Sequence, residues 1–170
     1  MTFTKIYRTP NDFDDMIMSS DGEMLTGLRF INSQNQSKHT MDREENDLLV
    51  FGSTKEWLNI YFSGRQPDFM PAYRIDRLSP FRKEVSDIMQ TIPFGQTMTY
   101  GEISALIAQK RGIRKMSAQA VGGAVGWNPL CIIIPCHRVI GVNKSLTGYG
   151  GGIKNKIALL KLEGIEFRKP

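Results

Sequence analysis

The chain has 170 residues, 41% of them hydrophobic, with a formal net charge of +5, enough for one ordinary domain or two small ones with a shared interface. No stretch approaches the ~18 consecutive apolar residues of a membrane span, and Met1-Thr2-Phe3-Thr4-Lys5 lacks the basic-then-apolar pattern of an export signal. The two cysteines, Cys131 and Cys136, stand too close along the chain for a structural disulfide, and together with His39 and His137 they match no closed zinc pattern. A reducing, cytoplasmic compartment is expected, with no membrane association. The charge is uneven: residues 1–80 carry nine Lys/Arg and twelve Asp/Glu, residues 81–170 thirteen and five. The second half is the half that would meet a polyanion such as nucleic acid.

In chain order, Lys5-Ile6-Tyr7 reads as a short strand. Ser20-Asp21-Gly22 is a turn signal, and Met24, Thr26, Leu28 and Phe30 then share one face at period two. Residues 32–46 read as a polar loop with His39 solvated inside it. From Asn46 to Phe62, Leu48, Phe51, Trp57, Leu58, Tyr61 and Phe62 recur near helical spacing, and Ser63-Gly64 ends the helix. Residues 65–78, with Pro67 and Pro71, read as a linker. The first half shows no reactive cluster and is expected to be structural, with domains at 1–78 and 79–170.

Ser79-Pro80 marks a helix start, N-cap then Pro at the first helical position. Phe81, Val85, Ile88, Met89 and Ile92 line its inner face, and Pro93-Phe94-Gly95 stops it. Thr99-Tyr100-Gly101-Glu102 is a capping box, with Ile103, Leu106 and Ile107 as the buried stripe and Gly112 as the stop. A basic run of Lys110, Arg111, Arg114 and Lys115 follows. Ser117 caps a short helix of small residues through Val125, ended by Gly126. Helix, basic turn, small-residue helix is a helix-turn-helix pattern. Glycine and alanine there allow close approach, to a DNA strand or to another helix. The last helix is expected from Ile153 to Glu163, with Ile157, Ala158 and Leu160 inward, Lys154, Lys156 and Lys161 outward, and Gly164 as stop.

The chemistry concentrates at Ile132-Ile133-Ile134-Pro135-Cys136-His137-Arg138-Val139. The apolar run reads as a strand or extended core segment that Pro135 ends and stiffens. A thiol on a rigid element beside a base and a fixed cation is a candidate nucleophile, because cysteine reacts as its thiolate. Downstream, Gly148-Tyr149-Gly150-Gly151-Gly152 forms a flexible wall. It lacks the lysine and Ser/Thr of a P-loop.

This tract, from Asn128-Pro129 through Pro135-Cys136-His137-Arg138-Val139 and the glycine-rich wall, closely resembles the O6-alkylguanine-DNA alkyltransferases, also called methylated-DNA–protein-cysteine methyltransferases. The resemblance is strong from about Ser79 to Gly164 and general before that. It implies a ribonuclease-H-like α/β N-terminal domain and a mainly α C-terminal domain with a winged-helix-like helix-turn-helix. It implies irreversible transfer of the alkyl group from O6-alkylguanine in double-stranded DNA to Cys136, one lesion per protein, with no cofactor and no metal. The partner is DNA bound through the minor groove by a monomer. By resemblance, His137 is the base, Glu163 orients it, Asn128 braces the cysteine segment, and Arg138 pins the site. Tyr100 contacts the guanine, Tyr149 walls the pocket, and the carbonyls of Cys136 and Val139 read the guanine amino group. Ala120 and Gly122 are expected on the DNA-facing helix, and the basic run makes Arg114 and Lys115 the expected phosphate contacts. Three positions depart from the common pattern: Gln119 stands where many members have arginine, Gly150 where some have serine, and Cys131 where proline or alanine is usual. Two other readings compete. A Cys-His hydrolase needs a distant second histidine, and His39 is the only other one. A non-catalytic module that binds alkyl lesions needs no reactive cysteine, yet Cys136 is present.

Overall fold

The computed structural model describes residues 1–32 and 48–170; most of the predicted polar loop, His39 and Asn46 lie outside the described residues. Three strands open the chain: β1 (Phe3–Tyr7), β2 (Met16–Ser20) and β3 (Leu25–Phe30), an antiparallel meander in the order β1-β2-β3. β2 was not anticipated, although Met16 and Met18 alternate inward as a half-buried strand requires. The inward set expected on β3 is shifted. Ser19 pairs with Gly27 but Ser20 pairs with Leu25, so Thr26 bulges out of register. One extra residue reverses the faces before it: Leu25 is fully buried, while Met24 is 38% exposed. Helix α1 (Leu49–Phe62) packs Val50, Phe51, Trp57, Leu58 and Tyr61 against this sheet.

The predicted linker is tied down rather than loose. Leu25 N–H donates to Ala72 O, and Arg74 N–H donates to Leu25 O. Helix α2 (Pro80–Met89) begins as expected, with Ser79 Oγ accepting from Arg82 N–H. It ends at Met89, short of the Pro93-Phe94-Gly95 turn. The two-residue strand β4 (Met98–Thr99) leads into α3 (Tyr100–Arg111) through the predicted capping box: Glu102 N–H to Thr99 Oγ1 at 3.1 Å, and Thr99 N–H to the Glu102 carboxylate at 2.6 Å. Gly112 closes α3 at φ 64°, a left-handed turn suited to glycine. Leu106 does not join the buried stripe. It is 43% exposed, because α2 and α4 cover only the Ile103–Ile107 side. Helix α4 (Ala118–Gly126) starts where Ser117 Oγ accepts from Ala120 N–H.

The run Ile132-Ile133-Ile134 is not a strand. Cys131 bridges Ile134 around a tight turn, with Ile132 at φ 72°. A left-handed β-branched residue is strained, and its backbone partners are local: Ile133 N–H to Cys131 O, Ile134 N–H to Leu130 O. Apolar content alone does not separate a buried strand from a buried turn. Strand β5 (Val139–Ile140) then pairs in parallel with β4, and α5 (Ile153–Leu162) closes the fold. The two halves share one core. Leu28 N–H donates to Pro129 O, Cys131 N–H donates to Leu28 O, and the main apolar cluster runs from Tyr7 to Leu159. Among the described residues no helix is long and apolar enough to cross a membrane.

Candidate active site

Cys136, His137 and Arg138 form one buried 3-10 turn, started by Pro135 at φ −80°. Cys136 faces a cavity walled by Tyr149, Gly148, Gly150 and Gly151 on one side and by Tyr100, Gly122 and Val125 on the other. Asn128 and Cys131 complete its inner end, and Arg29 of β3 reaches it from the first half. Gly151 has to be glycine, since a Cβ there would lie 2.6 Å from the Tyr149 ring and 2.9 Å from Phe30.

Asn128 holds the cysteine segment through its side chain. Its Nδ2 donates to Ile134 O at 2.8 Å and to Cys136 Sγ at 3.0 Å, and its Oδ1 accepts from Leu130 N–H at 3.0 Å. Tyr149 Oη lies 3.9 Å from the sulfur; when the sulfur is a thiolate, the phenol is the donor. The neighbouring Cys131 thiol, against the opposing effect of burial and with help from Asn128, Tyr149 and the Lys156 charge, brings the Cys136 pKa down from 9.0 to about 7. A substantial thiolate fraction therefore exists at neutral pH.

Behind the thiol lies a carboxylate saturated with donors. Glu163, the C-cap of α5, receives His137 Nε2–H at 2.6 Å and Tyr61 O–H at 2.7 Å. It also receives Arg138 Nε–H at 2.9 Å and Gly95 N–H at 3.0 Å. Burial opposes its charge, but the hydrogen bonds from His137 and Arg138 and the Arg138 charge outweigh that and hold it at about 2. Gly95 sits at φ +80° with its Cβ direction toward Glu163 O, so glycine suits this turn as well. Burial lowers the pKa of His137 despite Glu163. The ring is neutral, its Nε2 carries the hydrogen that Glu163 accepts, and Nδ1 is left as an acceptor. Nδ1 is buried and has no hydrogen-bond partner among the described residues.

The opposite rim is polar and open. Arg114, Lys115, Gln119 and Ala120 are all exposed, at the α3–α4 turn and the first turn of α4. A Cβ on Gly123 or Gly126 would meet nothing, whereas one on Gly122 would touch the Tyr100 ring. The small residues of α4 thus serve both a close contact with Tyr100 and an unobstructed outer face.

Residues 80–165 match the family model described as 6-O-methylguanine DNA methyltransferase, DNA binding domain. A methylated-DNA–protein-cysteine methyltransferase from Mycobacterium bovis is 39% identical over 92% of this chain and 91% of its own. The chain belongs to the methylated-DNA–protein-cysteine methyltransferase family. The crystal structure of the Mycobacterium tuberculosis O6-methylguanine methyltransferase superposes with a TM-score of 0.80 at 37% identity, covering 96% of this chain and 93% of that one. The Mycobacterium tuberculosis protein in complex with DNA gives 0.79 at 36% identity, over 95% and 93%.

As a methyltransferase of this family, the molecule brings Tyr100, Gly122, Asn128, Cys136, Tyr149 and Gly150 to one cavity. His137 and Glu163 lie behind it. Gln119, Ala120, Arg114 and Lys115 stay on the outer face. Two expectations fail. Lys156 was placed outward, yet it is fully buried and donates to Val139 O at 2.8 Å. The buried residues of α5 are Asn155, Lys156, Leu159 and Leu160, with Glu163 at its C-cap, so the inward face is turned away from the expected Ile157 and Ala158. Its burial also brings the amine down to about 8. The first half, expected to be only structural, supplies Tyr61 to the Glu163 carboxylate and Arg29 to the cavity. No spacing rule links these to Cys136 across the chain. The carbonyls expected to read guanine already hold internal bonds, Cys136 O from Val139 N–H and Val139 O from Lys156. Each keeps a second lone pair.

Proposed function

We infer that the protein repairs DNA by direct reversal, moving an alkyl group from O6 of guanine to Cys136 in a single irreversible turnover. The observation that carries this reading is the Cys136 thiol on a wall of the cavity next to the small-residue helix, with Asn128 Nδ2 donating to its sulfur at 3.0 Å. The thiolate sulfur attacks the alkyl carbon in line. A C–S bond forms, the C–O6 bond breaks, and the electron pair leaves on the base, which takes up a proton. The product is a thioether that no residue here can cleave, hence one lesion per protein.

Under the same reading, the neutral His137 takes the thiol proton at Nδ1, directly or through one water, and Glu163 orients it. Tyr100, accepting from Thr147 O–H at 3.0 Å, faces the flipped base and donates as guanine departs. Tyr149 covers the base, and Asn128 braces the thiol. The minor groove is met by α4, with Ala120 and Gly122 beside the strand and Arg114 and Lys115 on phosphate. The fold reading is a ribonuclease-H-like first domain, residues 1–78, and a winged-helix-like second, 79–170. The protein acts as a monomer, in a reducing cytoplasm that keeps both cysteines free. Exposure to a duplex with one O6-methylguanine should add a single methyl to the intact protein, mapped to Cys136. Several turnovers per protein, or a methyl elsewhere, would overturn this.

Gln119 allows a sharper test. Flipping a guanine costs a few kcal/mol of stacking and pairing, and a residue in the vacated space recovers part of it. Glutamine offers a donor and an acceptor to the orphaned cytosine but no charge and a poor stacking surface. Gln119→Arg is expected to speed reaction with duplex by roughly fivefold, the size of a cation–π contact of about 1 kcal/mol. Its reaction with the free O6-methylguanine base should be unchanged. Equal effects on both substrates would place Gln119 in the chemistry instead.

A further inference from the structure

Thr147 stands just before the glycine-rich wall, outside the cavity. The parallel pairing of β4 with β5, Met98 with Val139 and Thr99 with Ile140, sets the ends of the two strands side by side. Tyr100, the first residue of α3, is thereby brought against the loop that follows β5. Gly122 of α4 lies against the Tyr100 ring, and Thr147 Oγ1 lies 3.0 Å from its Oη. The loop is anchored one residue earlier by buried Leu146, which packs with Ile140 and Leu160. The Thr147 methyl rests against Gly141, where a Cβ would lie 3.5 Å from it.

We propose that Thr147 is a positioning residue for alkyl transfer: its O–H donates to Tyr100 Oη, aims the phenol's own proton at the departing base and steadies the phenolate left behind. The proposal rests on the alkyl-transfer reading above. A phenol has one hydrogen to give and an oxygen that also accepts. With Thr147 on that oxygen from the loop side, the hydrogen is left for the cavity. As the C–S bond forms and the C–O6 bond breaks, the base takes the Tyr100 proton. The electron pair of the O–H bond stays on Tyr100, and a hydrogen bond to that growing charge is stronger than one to a neutral phenol. Tyr100 then regains a proton from solvent and His137 releases the one taken from Cys136, so no charge is left over. Thr147 is not among the residues that line the cavity; it acts through Tyr100.

Other groups also surround the Tyr100 hydroxyl. Cys131, Cys136, Tyr149 of the wall and Arg29 of β3 line the same cavity, and α4 presents the uncharged Gly122, Val125 and Gly126. Glu102 of α3 is engaged with Thr99 N–H, and Lys144 of the loop pairs with Glu166. Burial raises the phenol above its ordinary 10.0, the Thr147 bond draws it down, and the Cys136 charge raises it. The test must isolate the Thr147 donor from these. Val keeps the shape and loses the donor, and Ser keeps the donor and loses the methyl. Thr147 is exposed, so neither variant opens a core cavity. Two readouts serve: the rate of alkyl transfer from the free O6-methylguanine base, located at Cys136 by peptide mass, and a carbon NMR titration of the Tyr100 ring, assigned with Tyr100→Phe. The titration needs no DNA and no alkyl transfer, so it is read separately from the repair activity.

Thr147→Val is expected to slow transfer from the free base about tenfold, the low end of what a hydrogen bond to a charged group contributes. It should also move the Tyr100 titration to higher pH, because the phenolate loses a donor. Thr147→Ser should stay near wild type in both. In a Tyr100→Phe background, Thr147→Val should add no further loss. A Val variant within twofold of wild type on the free base overturns the proposal. So does a loss confined to duplex substrate, which would make Thr147 a DNA contact, and so does an equal loss in the Tyr100→Phe background. Should Tyr100→Phe react too slowly to measure, the titration decides, and an unshifted Tyr100 in Thr147→Val overturns the proposal. A shifted titration in a protein that never takes a methyl from DNA or from the free base would instead sink the repair reading and leave the hydroxyl pair standing.

Discussion

Glu163→Gln is expected to lower stability by about 3–5 kcal/mol, the range for removing one partner of a buried ion pair. Both side chains of the pair are nearly inaccessible, Arg138 at 7% and Glu163 at 0%. The amide keeps one acceptor oxygen, but its NH₂ would face the Arg138, Tyr61 and Gly95 donors that now converge on a carboxylate. A buried guanidinium is left without a counter-charge. The sign with pH follows from the lowered carboxyl. Folded Glu163 titrates at about 2 against an ordinary 4.5, so its contribution is present above 4.5 and is lost as pH falls toward 2. His137, also lowered, acts in the same direction: its contribution is lost as pH falls below 6.5. The wild type should therefore be acid-labile, and Glu163→Gln should flatten the part of the curve below 4.5. Urea midpoints measured from pH 2.5 to 8 test this. A variant within 1 kcal/mol of wild type at pH 7 would mean that the carboxylate is not the keystone of the network. The transfer rate should fall too, because His137 loses the acceptor that fixes its tautomer.

Alkyl transfer to wild-type protein should fall about fiftyfold from pH 7 to pH 5. With Cys136 ionising near 7, about half is thiolate at pH 7 and about one hundredth at pH 5. Above pH 8 the rate should level, since the thiolate is then fully formed. The free O6-methylguanine base is the right substrate for this measurement, because protonation changes in DNA binding do not enter. Lys156→Met should move the curve to higher pH by removing the buried cation that favours the thiolate. The same curve for Lys156→Met and wild type would show that the charge does not reach the sulfur. A flat profile from pH 5 to 8 in the wild type would remove the thiolate itself from the rate-limiting step.

Local chemistry was legible along the chain. Ser79-Pro80, the Thr99–Glu102 capping box, Gly112 and Ser117 mark helix ends in the structure because caps satisfy orphan backbone groups through neighbours within four residues. The Pro135-Cys136-His137-Arg138 tract marked the proposed nucleophile and base for the same reason: adjacent residues on one 3-10 turn are close without help from the rest of the fold. Where the partner lies far along the chain, tertiary structure decided. Tyr61 and Gly95 meet Glu163 because α1 and the turn after α2 pack against the end of α5, and no periodicity records that. Lys156 looked like an outward charge because lysine is rarely buried; only the fold supplies the Val139 carbonyl that accepts its hydrogen bond. The Ile132–Ile134 run is a turn whose backbone groups are met by Asn128 and by the Leu130 and Cys131 carbonyls. Bulging at Thr26 shifted the inward face of β3, a choice made by its pairing with β2. Cys131 was legible as a departure at the pocket border, but its backbone is held there by Leu28 of the first sheet, which no local pattern records.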